Sequence, residues 1–287
     1  MATVISIINL KGGVGKTTIT VALAEFMTLL HQRKTLVVDL DPQTNATMAL
    51  MNEYEWKRRN VRGQTVVQLF RDRLQQHRPV FNPEEAIVHQ VSNIGGGIPG
   101  LDLLPSSLDL IDLQDNLAGI ATSGIISDRP LTILGESLAE VAAAYDLVLI
   151  DCPPNLGIIT QNGLLFSQYF LIPVIPDILS TYGIPQIVSR VRRLAAETGV
   201  EIKPLGVVIN KCRHQSALHR TQYHVLSMDA DRVGYSRVFD TILPESTQAA
   251  AAMDFSVAYP SLHGKYGYKA PYLQYHQLAE EVLRYVR

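Results

Sequence analysis

The stretch NLKGGVGKTT, residues 9–18, decides the architecture of this chain. The apolar run TVISIIN (3–9) leads straight into it and is typical of a buried strand, while residues 16–31 have a helical pattern. The backbone N–H groups of a glycine-rich loop, together with the N-terminus of the helix that follows, attract anions. The sequence therefore predicts a strand, an anion-binding loop and a helix in succession.

The loop departs from the usual phosphate-binding pattern, G-x-x-x-x-G-K-[ST]. Gly15, Lys16 and Thr17 supply the end of that pattern, but Leu10 stands where the first glycine belongs, and a second lysine, Lys11, follows it. In the usual pattern the lysine reaches the β- and γ-phosphates of a nucleotide, and the hydroxyl ligates Mg²⁺. The predicted nucleotide-binding residues of the loop are Gly12, Gly13, Val14, Gly15, Lys16, Thr17 and Thr18.

Short apolar runs alternate with longer helical patterns along the chain. Several runs are apolar throughout, as expected for strands that are covered on both faces. This alternation predicts an α/β fold with a doubly wound, mostly parallel sheet flanked by helices, and ligands at the carboxyl ends of the strands. The predicted strands are 3–9, 35–40, 101–105, 146–151, 169–175, 205–210 and 238–243, and the predicted helices are 16–31, 64–75, 130–144, 180–198, 215–227 and 271–286.

Composition narrows the class of protein. The chain has 287 residues, of which 47% are hydrophobic and 18% are charged, and a formal net charge of −2. Such a charge gives no global attraction to nucleic acid or anionic lipid, so binding to either would need a local basic patch. Cys152 and Cys212 match no zinc or disulfide pattern, which fits a reducing cytoplasm.

Acidic side chains end two of the predicted strands. Asp39 and Asp41 are two residues apart at the end of residues 35–40, and Asp151 ends the strand 146–151. An apolar strand that delivers one carboxylate is the Walker-B arrangement, so Asp151 suits the coordination shell of Mg²⁺. Asp41 suits the positioning of an attacking water molecule.

These segments resemble the ParA/MinD group of deviant-Walker ATPases, and most closely its ParA branch. The resemblance rests on KGGVGKTT, DLDPQTNAT and DCPPNLGIITQNGL followed by FLIPVIPD, and it continues through LDLLPSSLDL and GVVINK. It covers most of the chain, from residue 1 to about 250.

The resemblance implies the role of each matching residue. Lys11 corresponds to the family's signature lysine, which reaches across an ATP-bound dimer to the phosphates of the partner subunit. Asp41 is then the hydrolytic aspartate, with Asp39 beside it near the metal. Asn210 matches the asparagine that recognises adenine, and Pro244 begins the segment that packs along the base. The implied substrate is ATP, and the implied cofactor is Mg²⁺.

The resemblance also implies a biological role. ParA-like proteins bind double-stranded DNA non-specifically as ATP dimers, and they release it after a ParB-like or cargo-bound partner stimulates their slow hydrolysis. A plasmid, a chromosome or a protein assembly is segregated or positioned in this way. The expected location is cytoplasmic and nucleoid-associated.

Basic residues in the C-terminal half are candidates for DNA contact. Non-specific binding depends on lysine and arginine contacts to phosphates and weakens with salt. SRVRRLAAETG places two arginines three residues apart on one helical face, and NKCRHQSALHR follows the strand that ends in Asn210. The candidates are Arg190, Arg193, Lys211, Arg213 and Arg220.

We expect residues 1–287 to form a single ATPase domain, with residues 52–100 as a less regular excursion. That excursion carries the basic run WKRRNVR (56–62), for which a solvated amphipathic helix is expected, with contact to a partner or to DNA as the alternative. One strand precedes the glycine loop, so an N-terminal helix-turn-helix domain is not expected, and neither is sequence-specific DNA binding.

Three alternative classes of protein fit the sequence less well. A MinD-like membrane ATPase would end in a basic amphipathic helix, whereas QLAEEVLRYVR (277–287) is acidic in its middle and has core-packing spacing, so no membrane binding is expected. An iron–sulfur reductase would need paired cysteines. A binding module with an inactive nucleotide site would lack some of the catalytic positions, which are all filled here.

Overall fold

A computed structural model of the chain describes residues 2–74, 79–114, 131–213 and 215–286. Within these residues, six strands form one parallel sheet in the spatial order β3-β2-β4-β1-β5-β6. Helices cover both faces, so the predicted fold class is confirmed. The strands are β1 (Thr3–Ile7), β2 (Thr35–Asp39), β3 (Leu101–Leu104), β4 (Leu147–Asp151), β5 (Tyr169–Val174) and β6 (Lys203–Ile209).

Each predicted helix has a counterpart, and the structure adds helices at 45–50, 53–61, 83–86, 158–166, 247–251 and 262–266 that the sequence did not predict. Three helices lie in the excursion 52–100. Residues 75 and 130, which the sequence assigned to helices, lie outside the described residues. The helices are α1 (Lys16–His31), α2 (Asn45–Leu50), α3 (Glu53–Val61), α4 (Val66–Leu74), α5 (Pro83–Ala86), α6 (Ile133–Ala142), α7 (Ile158–Phe166), α8 (Ile178–Tyr182), α9 (Ile184–Thr198), α10 (Ala217–Asp229), α11 (Thr247–Ala251), α12 (Leu262–Tyr266) and α13 (Tyr272–Tyr285), with a π-helical turn at Ala230–Gly234.

The helix predicted over 180–198 is two helices. Residue 183 is a glycine that caps both α8 and α9, and Pro185 lies in the first turn of α9. Proline is favoured in a first helical turn, where no N–H donor is needed, and is disfavoured in a helix interior. The break therefore falls where a proline begins a new helix.

The prediction of a strand over 238–243 is wrong. Only an isolated bridge joins Val238 to Val207 of β6. The amides of Asp240 and Thr241 donate instead to the Glu281 carboxylate of α13, at 2.8 and 3.0 Å. The Thr241 amide, which a continued ladder would direct to Ile209, is thus taken by a helix side chain, and the Ile209 carbonyl oxygen accepts from Leu243 at 2.9 Å instead.

Burial on both faces explains the uninterrupted apolar strands. Every residue of β2 and β4 is buried. One core cluster packs α4, α6, α7 and α9 against one face of the sheet, and a second packs α1, α2, α12 and α13 against the other. No described helix is both long enough and apolar enough to cross a bilayer.

A buried ion pair fastens α12 to α1. Lys265 Nζ donates to Glu25 Oε1 at 2.6 Å, and neither side chain is exposed to solvent. Ser92 Oγ donates to the same oxygen at 2.6 Å, and Tyr266 OH donates to Glu25 Oε2 at 2.8 Å. Three donors from distant parts of the chain therefore satisfy one buried carboxylate.

We expect Lys265→Ala to destabilise the fold strongly, because it leaves the Glu25 charge buried without its cation. Breaking one partner of a buried ion pair costs about 3–5 kcal/mol. Urea unfolding of the two proteins measures this difference. Arg193→Ala is the control, since Arg193 pairs with Glu197 on the solvent-exposed face of α9, and it should leave the midpoint almost unchanged. Equal midpoints for wild type and Lys265→Ala would contradict a stabilising role for the pair.

Candidate active site

The glycine loop and two buried aspartates meet at the carboxyl edge of the sheet. Asp39 ends β2 and Asp151 ends β4, and the two residues are partners in the register of these neighbouring strands. Ile7, the last residue of β1 before the loop, is also a register partner of Asp151. This is the edge at which parallel α/β sheets bind ligands.

The loop presents an uncapped helix N-terminus. Gly15 precedes α1 with a φ of 92°, no side chain caps it, and the first turn of α1 contains no acidic residue. Gly13 has a φ of 75°, and a Cβ added at Gly12 or Gly13 would meet nothing within 4 Å. The loop therefore has an open side next to free helix amides, which fits an anion such as phosphate.

Asn210, just after the end of β6, contacts the glycine loop. Its Nδ2 donates to the Val14 carbonyl oxygen at 2.8 Å, and a Cβ on Gly15 would lie 2.0 Å from that Nδ2. Pro244 is near this point, because residue 244 forms an isolated bridge with residue 212, two positions after Asn210. The two residues implied to contact a base thus flank the end of β6 beside the loop.

Asp151 accepts hydrogen bonds from hydroxyls in the first two turns of α1. Thr17 Oγ1 donates to Asp151 Oδ2 at 2.7 Å, and Thr20 Oγ1 donates to Oδ1 at 3.3 Å. Burial raises the pKa of Asp151 to about 7; the charge of Asp41 adds to this, while the Thr17 bond and Lys16 oppose it. A dry carboxylate beside a hydroxyl is a place where a cation is favoured.

Asp39 is turned toward the loop that follows β2. Its Oδ1 accepts from the amide of Asp41 at 3.0 Å, and its Oδ2 accepts from the amide and hydroxyl of Thr47 at 2.8 and 2.7 Å. Burial, and then the charge of Asp151, hold the pKa of Asp39 well above its usual range. Its hydrogen bonds shape the 41–47 loop; its role as a metal ligand stays a prediction.

The Lys16 ammonium group lies within electrostatic range of the Asp41 carboxylate. Both are nearly buried, at 7% and 6% exposure. Burial lowers the pKa of Lys16, and the carboxylates of Asp151 and Asp41 oppose that shift. Asp41 Oδ1 accepts from the Gln43 amide at 2.9 Å, and no described residue donates to its second carboxylate oxygen.

Lys11 makes contacts that the sequence did not predict. Its Nζ lies 3.3 Å from both carboxylate oxygens of Asp177 and 2.9 Å from Ser180 Oγ. Although burial opposes it, the Ser180 amide and hydroxyl and Lys11 lower the pKa of Asp177. Asp177 is the N-cap of α8. In the sequence it is marked only as the last residue of the segment FLIPVIPD.

The donor set fits Mg²⁺ bound together with a nucleotide. Among the described residues, no three His, Cys, Asp or Glu side chains could hold a metal ion by themselves. Mg²⁺ in nucleotide sites commonly takes one or two protein ligands and completes its shell with phosphate oxygens and water. Thr17 and Asp151, already in contact beside the open loop, meet that requirement.

The structure separates the five predicted DNA-binding residues. Lys211 Nζ donates to the Gly13 carbonyl oxygen at 2.8 Å, so this lysine belongs to the phosphate loop. Arg193 pairs with Glu197 at 2.7 Å, and Arg213 pairs with Glu245 at 2.6 Å. Arg190 lies on α9 with Arg193, and Arg220 lies on α10.

Comparisons with known proteins agree with this geometry. A family model described as an AAA domain matches residues 2–203. The chromosome-partitioning ATPase Soj of Thermus thermophilus is 29% identical over 287 residues, which cover 99% of this chain and 96% of that protein. The protein of the same name from Treponema pallidum is 30% identical over 245 residues, covering 85% and 84%. Cobyrinic acid a,c-diamide synthase from Mycobacterium smegmatis, solved with an ATP analog and magnesium, has a TM-score of 0.74 at 25% identity, covering 99% of this chain and 95% of that one.

Gly15→Ala should weaken both the fold and the loop. The φ of 92° is strained for alanine, and the new Cβ would displace the Asn210 amide from Val14. Strain of this kind costs about 1–3 kcal/mol. Gly12→Ala is the matched control, since its Cβ would enter open space. Thermal unfolding without ligand measures both variants, and equal melting temperatures for the two would contradict the assigned loop geometry.

Proposed function

This chain belongs to the ParA-like partition ATPases, and we propose that it is a dimerising Mg-ATP-dependent ATPase which binds DNA non-specifically in its ATP state. Partner-stimulated hydrolysis would then release the DNA. The observation that carries this proposal is the contact of Thr17 with Asp151, at 2.7 Å, beside an uncapped helix N-terminus. That arrangement supplies both a phosphate site and a divalent-cation site.

The proposed mechanism assigns a task to each side chain. The loop amides and Lys16 hold the phosphates of ATP, and Thr17 and Asp151 hold Mg²⁺. The metal, when bound, offsets charge on the phosphate oxygens. Asp41 orients the attacking water with the carboxylate oxygen that Gln43 leaves free, while Asp39 shapes the 41–47 loop and lies near the metal.

Asn210 and Pro244 are proposed to contact the adenine base. Asn210 Nδ2 is engaged with Val14, so its side-chain oxygen is the group turned to the ligand. The position of both residues at the end of β6, beside the loop, supports this assignment.

The proposal gives Lys11 a role in a second copy of the chain. Within its own chain Lys11 is held by Asp177 and Ser180, so it is ordered at the surface of the loop. Leaving these partners, it would reach the phosphates of the other subunit and make hydrolysis conditional on dimerisation. A cation that arrives at the transferring phosphoryl group stabilises the charge that develops there.

The DNA-binding part of the proposal depends on the arginines of the C-terminal half. Arg190 and Arg193 of α9 and Arg220 of α10 are its main candidates. To contact DNA phosphates, Arg193 would have to leave Glu197, and Arg213 would have to leave Glu245. The proposed protein is one ATPase domain, cytoplasmic and nucleoid-associated, whose cargo carries a ParB-like stimulating partner. The helix α13 buries Tyr275, Leu278 and Val282 in the core, so its apolar face is not available to a membrane.

The phosphate-site assignment predicts different losses for two substitutions. Lys16→Ala should reduce ATP affinity by about 100-fold, because it removes the charged contact to the β- and γ-phosphates. Asp41→Ala should keep ATP affinity within a few-fold and lower hydrolysis by about 100-fold or more. Isothermal titration and phosphate release separate the two effects. Unchanged affinity in Lys16→Ala would refute the loop assignment, and normal turnover in Asp41→Ala would move the water-positioning role elsewhere.

Binding to random-sequence duplex DNA across a salt series tests the proposed function. We expect binding with ATP only, falling steeply with salt, and a slope reduced by about one for each phosphate-contacting arginine replaced. Arg190→Ala and Arg220→Ala test the candidates. Arg33→Ala is the control. Arg33 is exposed and lies just before β2, at the amino edge of the sheet, whereas the candidate nucleotide site lies at the carboxyl edge. DNA binding that is independent of nucleotide, or absent, would contradict an ATP-dependent DNA-binding cycle. Liposome co-sedimentation then tests the membrane alternative.

A further inference from the structure

Ser106 is a fully buried residue that lies just beyond β3 and makes three hydrogen bonds. Its Oγ donates to the Asp41 carbonyl oxygen at 2.8 Å, and its amide donates to Thr47 Oγ1 at 2.9 Å. Its carbonyl oxygen accepts from Trp56 Nε1 at 2.9 Å. The hydroxyl, amide and carbonyl groups of Ser106 thus bond to Asp41, Thr47 and Trp56, respectively.

Two of these bonds hold the loop that carries Asp41. The Asp41 carbonyl oxygen also accepts from the Thr44 amide at 2.9 Å, which closes a turn. Thr47 Oγ1, which accepts from Ser106, donates in turn to Asp39 Oδ2 at 2.7 Å. Thr44 has a φ of 57°, a left-handed conformation that costs free energy and persists only where its surroundings determine it. Ser106 is part of those surroundings, at both ends of the loop.

The third bond connects Ser106 to a surface helix. Trp56 lies on α3, in the excursion 52–100, and α3 has no buried residue of its own. The indole N–H is the only polar group of a tryptophan side chain, and here it is used on the Ser106 carbonyl. Trp56 is also the single tryptophan of the chain.

We propose that Ser106 is a positioning residue for Asp41, and that Trp56 holds Ser106 in place from α3. The hydrolysis rate is then set partly from outside the nucleotide site, through the chain of contacts from α3 to Ser106 to the 41–47 loop. This inference rests on the proposed role of Asp41 in orienting water. A misplacement of a reacting group by about 1 Å is enough to slow the chemical step by about 100-fold.

The test is steady-state ATP hydrolysis by full-length variants. Ser106→Ala removes the hydroxyl that holds Asp41, and kcat should fall about tenfold with KM for ATP within twofold. Trp56→Phe keeps an aromatic ring and removes the indole donor, so kcat should fall about threefold, again at constant KM. A general loss of structure would change KM and the melting temperature as well.

Matched controls accompany each variant. Ser167→Ala removes another buried serine hydroxyl, which donates to the Gly163 carbonyl oxygen and lies far along the sequence from the 41–47 loop. Tyr54→Phe alters a residue of the same helix as Trp56 that is 79% exposed. Both controls should keep wild-type kcat.

The outcomes separate this inference from the proposed function. If Asp41→Ala abolishes hydrolysis while Ser106→Ala and Trp56→Phe keep wild-type kcat, the positioning role is overturned and the ATPase assignment stands. Normal hydrolysis in Asp41→Ala would overturn the role of Asp41 itself, and with it this inference. Should Ser106→Ala fail to fold, Trp56→Phe decides, since an unchanged kcat in that variant is sufficient to reject the link from α3.

Discussion

Two carboxylates, those of Asp39 and Asp151, lie in register on neighbouring strands and are both completely shielded from water. Burial raises both pKa values; the charge of Asp151 adds to this at Asp39, and the charge of Asp41 adds to it at Asp151. This edge of the sheet is therefore electrostatically unfavourable without a cation. Hydrogen-bond donors around the two carboxylates offset this cost. Hydroxyls of Thr17, Thr20 and Thr47 and two backbone amides supply them.

The pair organises the two segments that a nucleotide would touch. Asp151 takes its donors from the start of α1 and so ties the glycine loop to β4. Asp39 takes its donors from the 41–47 loop and so ties the candidate water-positioning residue to β2. Because the strands are buried on both faces and cannot slide, the relative position of the two segments follows from the sheet register. The site is thus placed by the core beneath it.

Other parts of the chain are connected to this edge by single, specific contacts. Asp177 and Ser180 of the β5–α8 junction hold Lys11, and Lys211 after β6 donates to the Gly13 carbonyl. Ser106 and Trp56 bring the excursion 52–100 to the 41–47 loop. The surface helices α3 and α8 are therefore each connected to the carboxyl edge of the sheet through one or two hydrogen bonds.

The sequence by itself determined the sheet, the loop and the position of Asp151, because these depend on local patterns. Uninterrupted apolar runs require burial on both faces, and glycines before Lys16 require a turn into a helix. Only the tertiary structure decided which polar groups meet. Ser106, Thr47 and Asp177 lie in segments that carry the family resemblance, but no pattern in the sequence predicts their contacts, since a hydrogen bond between distant residues leaves no periodic signal. Likewise, the segment 238–243 has the composition of a strand, and only the approach of Glu281 from α13 removes it from the ladder.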